Sequence, residues 1–188
     1  MNVYDFDNTI LKGDSTARFF AYCLLRTPRM WLDIPAQIGN GVLFLLHIRK
    51  KKVFKQRMLR FMQFLPDADA TISNFWDKNL PRVKTWYRRN HQSGDIVISA
   101  SPEFLIRPAC ERLGITRVIA SPIDKSTGKY FGENCHGKEK VRAFRAQYGS
   151  VTPDEFYSDS YSDTPMAEIS RKAYLVKGEK LLEWGKDH

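Results

Sequence analysis

The stretch Tyr4-Asp5-Phe6-Asp7-Asn8-Thr9 sets two carboxylates two residues apart, at the end of a short apolar run that predicts a buried strand. Side chains alternate along a strand, but the backbone turns where the strand passes into a loop, so Asp5 and Asp7 can both reach one site. One carboxylate can then act as a nucleophile toward phosphorus while the other handles protons, and Mg2+ accepts the same oxygen ligands. The alternative is a strand-end turn, in which Asp, Asn and Thr are common for hydrogen-bonding reasons.

Three further stretches combine an apolar or helical pattern with polar side chains. They are Ile96-Val97-Ile98-Ser99, Gly137-Lys138-Glu139-Lys140-Val141 and Phe156-Tyr157-Ser158-Asp159-Ser160-Tyr161-Ser162-Asp163. Each lies where a parallel strand would end, and ligands bind beyond the carboxyl ends of strands in open α/β sheets, so we expect all four stretches to meet in one crevice. In type and order, the four motifs resemble those of the haloacid dehalogenase superfamily of phosphotransferases.

Strand and helix patterns alternate along most of the chain. Strands are predicted at residues 2–6, 95–99, 116–120, 155–158 and 172–176, helices at 103–113, 139–148 and 164–170, and a hairpin at 122–132. This order predicts an α/β protein, with a three-layer Rossmann-like parallel sheet core and a helical cap inserted after the first strand. The predicted domains are a core of residues 1–13 and 83–188 and a cap of residues 14–82.

Composition bears on the compartment and the partners. Three scattered cysteines fit a reducing compartment better than a disulfide framework. The first strand begins by residue 2 or 3 and no charge-free stretch is long enough to cross a membrane, so we expect a cytoplasmic protein without a secretory signal. The formal net charge of +9 comes without a nucleic-acid-binding motif, so no nucleic acid partner is expected. Attraction to a small or membrane-bound anionic substrate explains the charge equally well.

Asp5 is predicted to be the nucleophile. Attack by its carboxylate on phosphorus would form an aspartyl phosphate and divide one difficult displacement into two easier ones. Asp7 is predicted to protonate the leaving alcohol and then to activate the water that hydrolyses the intermediate. The family resemblance implies the same roles, with Mg2+ bound by the Asp5 side chain and the Asp7 backbone carbonyl.

Ser99 resembles the second motif of the family, in which a hydroxyl donates a hydrogen bond to a phosphoryl oxygen. It ranks above Ser101 because it ends the apolar run directly, and Ala100 is predicted to contact the substrate beside it. The alternative is that residues 99–101 cap a helix that Pro102 starts at its first position. Both interpretations are compatible with one structure.

Lys140 is predicted to stabilise the nucleophile and the transferring phosphoryl group. The pattern Cys135-x-Gly137-x-x-Lys140-Val141-x-x-Phe144 resembles the phosphoserine phosphatase branch of the superfamily, in which the catalytic lysine occupies this place. Lys138 is the alternative, although it would point elsewhere on the helical turn and fits a solvated surface charge.

Asp159 and Asp163 lie on either side of a strand end, as expected when one acid binds the metal and the other supports it. Asp159 is predicted to be a direct ligand of Mg2+, and Asp163 to act through water or by orienting the ligands. Asp163 could also cap the helix that Pro165 begins. The predicted metal-binding residues are therefore Asp5, Asp7, Asp159 and Asp163.

The predicted cap bears on the substrate. Asp14 stands where the phosphoserine phosphatase branch carries an acid that meets the substrate amine, but it is shorter than Glu and can equally cap a helix. The apolar residues 30–34 and 38–48 precede seven basic residues between Arg49 and Arg60, which would suit a membrane interface and resembles lipid-phosphate phosphatases of this branch. The alternative is a cap helix packed on its neighbours with Lys and Arg on its wet face.

These observations predict a Mg2+-dependent phosphatase that hydrolyses a phosphomonoester through an aspartyl phosphate. The expected substrate is a small phosphorylated metabolite such as phosphoserine, or a lipid-linked phosphate. Two alternatives stay open at this point: a phosphotransferase or mutase of the same superfamily, and a basic anion-binding protein without catalysis. We expect a cytoplasmic location, with peripheral membrane contact through the cap as an option.

Overall fold

The computed structural model describes residues 1–186, apart from the side chain of Lys51. Its strands are β1 (Asn2–Tyr4), β2 (Ile96–Pro102), β3 (Arg117–Ser121), β4 (Glu155–Ser158), β5 (Lys172–Lys177) and β6 (Lys180–Glu183). They form one sheet in the order β3-β2-β1-β4-β5-β6, in which β6 is antiparallel to β5 and all other neighbours are parallel. The α-helices are α1 (Ser15–Leu24), α2 (Ile34–Leu45), α3 (Lys51–Met58), α4 (Ala68–Asn79), α5 (Thr85–Asn90), α6 (Glu103–Arg112), α7 (Lys138–Tyr148) and α8 (Thr164–Glu168).

The sheet is buried on both faces. Successive residues of β1 belong to different clusters, since Tyr4 packs with Val97 on one face and Val3 packs with Ile96 on the other. Helices α4 and α6 contribute to the first cluster, and α7 and α8 contribute to the second. Because helices cover both faces, strands β1 to β4 are largely buried rather than alternating between buried and exposed residues, whereas β5 and β6 are partly exposed. The predicted three-layer α/β fold is confirmed.

Two chain connections join the helical segment to the sheet side by side. Leu11 and Val83 form an antiparallel bridge, and the Lys84 amide donates to the Ile10 carbonyl at 2.8 Å. The helices α1 to α4 therefore leave and rejoin the core at one point, next to the loop after β1. The predicted domain boundaries fall at this point, and the division into core and cap stays a prediction.

Side-chain caps set the start of two helices in the segment. Asp14 accepts a hydrogen bond from the Ala17 amide at 2.8 Å and begins α1, and Asp67 accepts one from the Ala70 amide at 2.9 Å and begins α4. These bonds satisfy amide groups that have no partner within the helix. The helix-capping interpretation of Asp14 is therefore confirmed.

The structure corrects several boundaries. Strand β1 ends at Tyr4 rather than residue 6, because the Ile10 and Leu11 amides both bond back to the Phe6 carbonyl and close a turn there. Strand β2 extends to Pro102, which precedes α6 instead of starting it. The predicted hairpin at 122–132 is present in short form: residues 123 and 130 form an antiparallel bridge, the Asp124 amide donates to the Lys129 carbonyl at 2.8 Å, and the Phe131 amide donates to the Pro122 carbonyl at 3.1 Å. Strand β6 was not predicted, since its four residues are too few to show an alternating pattern.

Candidate active site

A cleft of about 200 Å3 lies at the carboxyl ends of β1, β2 and β4. Every side chain predicted for the site lines this cleft, although the chain brings them from four separate segments. They are Asp5, Asp7, Asp14, Ser99, Ala100, Lys140, Asp159 and Asp163. The parallel sheet explains the convergence, because the loops that follow neighbouring parallel strands leave the sheet at the same edge.

Lys140 occupies the floor of the cleft between two carboxylates. Its Nζ lies 2.7 Å from Asp5 Oδ1 and 2.6 Å from Asp163 Oδ2. Burial opposes the charge of Lys140, but the two carboxylates outweigh this effect and raise the pKa of the ammonium above its ordinary value. Lys138 is exposed on the same helix, so the structure places Lys140, and not Lys138, at the site.

Gly137 directs α7 toward the cleft. Its φ of 59° and ψ of −126° belong to a conformation that residues with a Cβ rarely adopt, and this residue immediately precedes the first turn of the helix. A Cβ at this position would also lie 3.4 Å from the Ser162 carbonyl. The glycine thus lets the chain turn sharply enough to bring Lys140 beneath the loop that carries Asp163.

The Asp5 carboxylate is held on both of its oxygens. Lys140 binds Oδ1, and the Thr9 hydroxyl donates to Oδ2 at the longer distance of 3.3 Å. Burial raises the pKa of Asp5, and the ammonium of Lys140 acts against this shift. The less tightly held oxygen, Oδ2, is the better candidate for attack on a substrate.

Asp7 points toward the start of α1. Its Oδ1 accepts a hydrogen bond from the Ser15 amide at 2.6 Å, and its Oδ2 accepts one from the Ser101 hydroxyl. Burial, together with the negative charge of Asp14, raises the pKa of Asp7 to about 7, while the bonds from Ser101 and Ser15 act in the opposite direction. A carboxyl group with such a pKa can both donate and accept a proton near neutral pH.

Asp159 and Asp163 add negative charge next to Asp5. The Asp159 amide donates to Thr9 Oγ1 at 2.9 Å, which ties the loop after β4 to the loop after β1. Burial and the nearby charge of Asp5 raise the pKa of Asp159 to about 6. Three carboxylates therefore crowd around Lys140, an arrangement that a bound cation would relieve.

Asp163 does not cap α8, so that alternative is wrong. It stands at the residue before the helix, but its side chain makes no capping bond. Instead, Oδ2 accepts hydrogen bonds from Lys140 and from the Ser158 hydroxyl at 2.8 Å. Its Oδ1 is buried and has no hydrogen-bond partner among residues 1–186, so one carboxylate oxygen is left without a ligand.

Ser99 and Ala100 both line the cleft but make different contacts, and their predicted roles stay predictions. Ser99 is buried against the cleft, and its Oγ accepts a hydrogen bond from the Ser101 amide at 3.1 Å. The Ala100 carbonyl accepts hydrogen bonds from Lys55 Nζ at 3.0 Å and from the Ser121 hydroxyl at 2.9 Å. Ala100 is therefore tied to its neighbours through its carbonyl, while both residues remain part of the cleft wall.

Two residues of the cleft were not predicted from the sequence: Ser101 was ranked below Ser99, and Lys55 was not named. Ser101 binds the Asp7 carboxylate and lies 2.9 Å from the Thr16 hydroxyl of α1. Its position two residues after Ser99 was the available signal, because residues two apart on an extended strand share a face. Lys55 reaches the cleft from α3, and the run of basic residues around it gave no means of singling it out.

The chain belongs to the haloacid dehalogenase-like hydrolase family, whose profile matches residues 3–168. The predicted superfamily is thereby confirmed. A probable phosphatase of Mycobacterium tuberculosis is 36% identical over 94 residues, which cover 46% of this chain and 33% of that protein. The chain thus spans about a third of the length of this relative.

Solved structures show the same fold at lower sequence identity. A Bordetella pertussis protein of unknown function has a TM-score of 0.75 at 18% identity, with 92% of this chain and 87% of that chain covered. A phosphoserine phosphohydrolase-like protein of Francisella tularensis has a TM-score of 0.59 at 18% identity, with 92% and 84% covered. The predicted likeness to the phosphoserine phosphatase branch is confirmed at the level of the fold.

Proposed function

We propose that this chain is a Mg2+-dependent phosphomonoesterase that acts through an aspartyl phosphate. The observation that carries the proposal is the pairing of Asp5, bound by Lys140, with Asp7, which is directed away from Lys140 by Ser15 and Ser101. The two carboxylates therefore have different environments, as a nucleophile and an acid-base group require. Membership of a hydrolase family and the similarity to a probable phosphatase of Mycobacterium tuberculosis support the same class of reaction.

In the first step, Asp5 Oδ2 attacks phosphorus, the new O–P bond forms and the bond from phosphorus to the leaving oxygen breaks. Asp7 gives its proton to that oxygen, so the alcohol leaves neutral. In the second step, water attacks the aspartyl phosphate while Asp7 accepts its proton, and the Asp5 O–P bond breaks to release inorganic phosphate. Lys140 and the Ser99 hydroxyl face the charge that develops on the phosphoryl oxygens.

Magnesium suits the donor set of this cleft. Among residues 1–186, no three acidic, histidine or cysteine side chains form a ready-made metal cluster. Mg2+ commonly binds through one or two carboxylates and completes its shell with water and substrate phosphate, so such a cluster is not required. The ion would be held by Asp5, the Asp7 carbonyl and Asp159, with Asp163 nearby, and when bound it would neutralise charge on the phosphoryl group.

The rim of the cleft bears on the substrate class. Asp14 offers a carboxylate to a cationic group of the substrate, although it also caps α1. Lys55 of α3 places an ammonium group at the cleft beside Ala100, whose carbonyl it binds. We propose a phosphorylated small metabolite or lipid head group as the substrate, recognised by its phosphate at the floor and by its other polar groups at this rim. The cytoplasmic location stays a prediction.

Hydrolysis of a generic aryl phosphate, with and without Mg2+, tests the proposal. Asp5→Asn keeps the shape of the side chain but removes the nucleophilic oxygen anion, and we expect no turnover. Asp69→Asn, a change at an exposed surface carboxylate paired with Lys125, is the matched control and should retain the full rate. Equal rates for wild type and Asp5→Asn would refute the mechanism. Transfer of phosphate to an alcohol without release of inorganic phosphate would favour the phosphotransferase alternative.

A further inference from the structure

The helical segment exposes an unusual number of apolar side chains. Within the part of the chain that the structure describes, nine large exposed apolar residues lie between Leu25 and Val53, and four lie elsewhere. These nine, which we call the apolar face, are Leu25, Trp31, Leu32, Ile38, Val42, Leu45, Leu46, Ile48 and Val53. Single exposed apolar residues are ordinary on a soluble protein, but these nine lie on or next to consecutive elements from α1 to α3 that pack on one another, and such a concentration indicates an interaction surface.

Helix α2 shows how the face arises. Ile38, Val42 and Leu45 are spaced by four and three residues, so they lie on one side of the helix, and all three are exposed. The other side packs on α3, where the buried Asn40 amide donates to the Phe54 carbonyl at 3.1 Å. A helix between a protein core and water normally carries polar residues on its outer side, whereas the outer side of α2 is apolar.

The end of α2 is an ordered turn that extends the face. The Ile48 amide donates to the Leu43 carbonyl at 3.1 Å, and the His47 amide donates to the Phe44 carbonyl at 3.0 Å. This pair of bonds, with His47 at a φ of 58°, is the Schellman arrangement that closes helix ends. Ile48 is therefore held in place beside the helix by backbone bonds.

Basic residues surround the face. The segment from Leu25 to Arg60 contains nine lysines and arginines and one acidic residue, Asp33, in a chain whose formal net charge is +9. Arg29, Lys50 and Arg57 are among the exposed members. A second copy of the chain would bring the same positive charge to the same face, so self-association is opposed by repulsion. An anionic surface with an apolar interior complements both the charge and the apolar side chains.

We propose that the apolar face docks on a bilayer that contains anionic lipids, with α2 lying in the interface and the basic residues meeting the head groups. Helix α2 has 12 residues, which corresponds to about 18 Å and falls short of a hydrocarbon core of about 30 Å. In residues 1–186 no helix is both long enough and apolar enough to cross a membrane. The contact is therefore peripheral.

Docking would bring the cleft close to the head groups. Helix α3 carries Val53 on the apolar face and Lys55 on the cleft wall, so the two surfaces are separated by about one helix diameter, roughly 10 Å. The proposal goes beyond the proposed chemistry, since a bilayer can bind this surface whether or not Asp5 is active. Its test therefore uses binding alone.

The full chain is incubated with vesicles of phosphatidylcholine, with and without phosphatidylglycerol, and sedimented at low and high salt. We expect binding to the anionic vesicles, weakened by salt. Trp31, which is 60% exposed, should show a blue-shifted fluorescence on binding. Each apolar side chain that enters the membrane contributes about a tenfold factor in partitioning, so the triple variant Leu32→Ser, Ile38→Ser, Leu45→Ser should bind at least a hundredfold more weakly.

Two further variants serve as a control for the apolar face and as a test of the basic residues. Phe131→Ser removes an apolar side chain that is 74% exposed outside the face, and it should bind like wild type. The double variant Arg29→Glu, Lys50→Glu leaves the apolar residues intact and should lose the preference for anionic vesicles. Absence of wild-type binding, an equal loss in the Phe131 variant, or equal binding to vesicles without anionic lipid would overturn the proposal. So would a stable dimer in sedimentation velocity that the triple variant dissociates, because the face would then serve a second copy.

Discussion

Replacement of Lys140 by Met probes the buried charges that organise the cleft. The side chain is 2% exposed and binds Asp5 and Asp163 at 2.7 and 2.6 Å. Methionine fills similar space without a charge, so both carboxylates would remain buried without their partner. Removal of one member of a buried ion pair costs about 3–5 kcal/mol, and we expect the free energy of unfolding to fall by about that amount.

The loss should be visible in both stability and rate. For a domain of this size, each kcal/mol lowers Tm by about 2–4 °C, so a thermal melt should shift down by about 6–20 °C. The rate on an aryl phosphate should fall by roughly 10²–10³-fold, because the variant lacks a preorganised positive charge at the phosphoryl oxygens. The two effects are separated by measuring kcat well below the new Tm.

Lys138→Met is the matched control for this experiment. It changes the same residue type on the same helix, but at an exposed position, where substitutions usually alter stability by less than about 0.5 kcal/mol. We expect its Tm and its rate to equal those of wild type. A variant of Lys140 that kept full activity, or a loss of activity confined to the Lys138 variant, would refute the assignment of Lys140.

Two other substitutions test the supports of the site. Ser101→Ala removes the hydroxyl that binds Asp7. We expect kcat to fall by about tenfold, as for the loss of one hydrogen bond to a charged group. The apparent pKa of Asp7 in the rate profile should rise, because that bond favours the charged form. An unchanged pH profile would contradict this positioning role. Gly137→Ala should lower the free energy of unfolding by about 1–3 kcal/mol, because of its positive φ. Gly94→Ala, which meets open space, should be close to neutral in the same denaturant titration.

Most of the eight predicted residues could be found from the sequence because they stand in short motifs at strand ends, whereas Lys140 on α7 and Asp14 before α1 were found from the family resemblance. For Asp5, Ser99 and Asp159, a local pattern and one topological rule were enough to predict a shared cleft. The same holds for the fold class, since alternating strand and helix patterns leave few arrangements open. The order of the four motifs predicted the superfamily, and the resemblance to that superfamily supplied the predicted role of each residue.

Long-range contacts could not be predicted in the same way. Ser101 binds Asp7 across 94 residues, and Lys55 binds the Ala100 carbonyl across 45. The spacing of Ser101 from Ser99 predicts a shared strand face but does not identify Asp7 as its partner. The contact of Lys55 leaves no local signal, because it forms only after the helical segment has folded over the sheet. The role of Asp163 was also ambiguous for a local reason, since the residue before a helix is a common capping position and only the structure shows its side chain turned toward Lys140.

The helical segment and the core both position Asp7, the proposed acid-base group. Asp7 accepts one hydrogen bond from the Ser15 amide at the start of α1 and another from Ser101 of β2. Since the Thr16 hydroxyl of α1 also lies 2.9 Å from Ser101 Oγ, the first helix and the strand are fixed to each other at the carboxylate itself. A displacement of α1 would change the pKa of Asp7, because it would remove the Ser15 bond, which lowers this pKa, and would also reduce the burial and move Asp14, both of which raise it. The placement of the helical segment and the protonation of Asp7 are therefore linked through Ser15, Thr16 and Ser101.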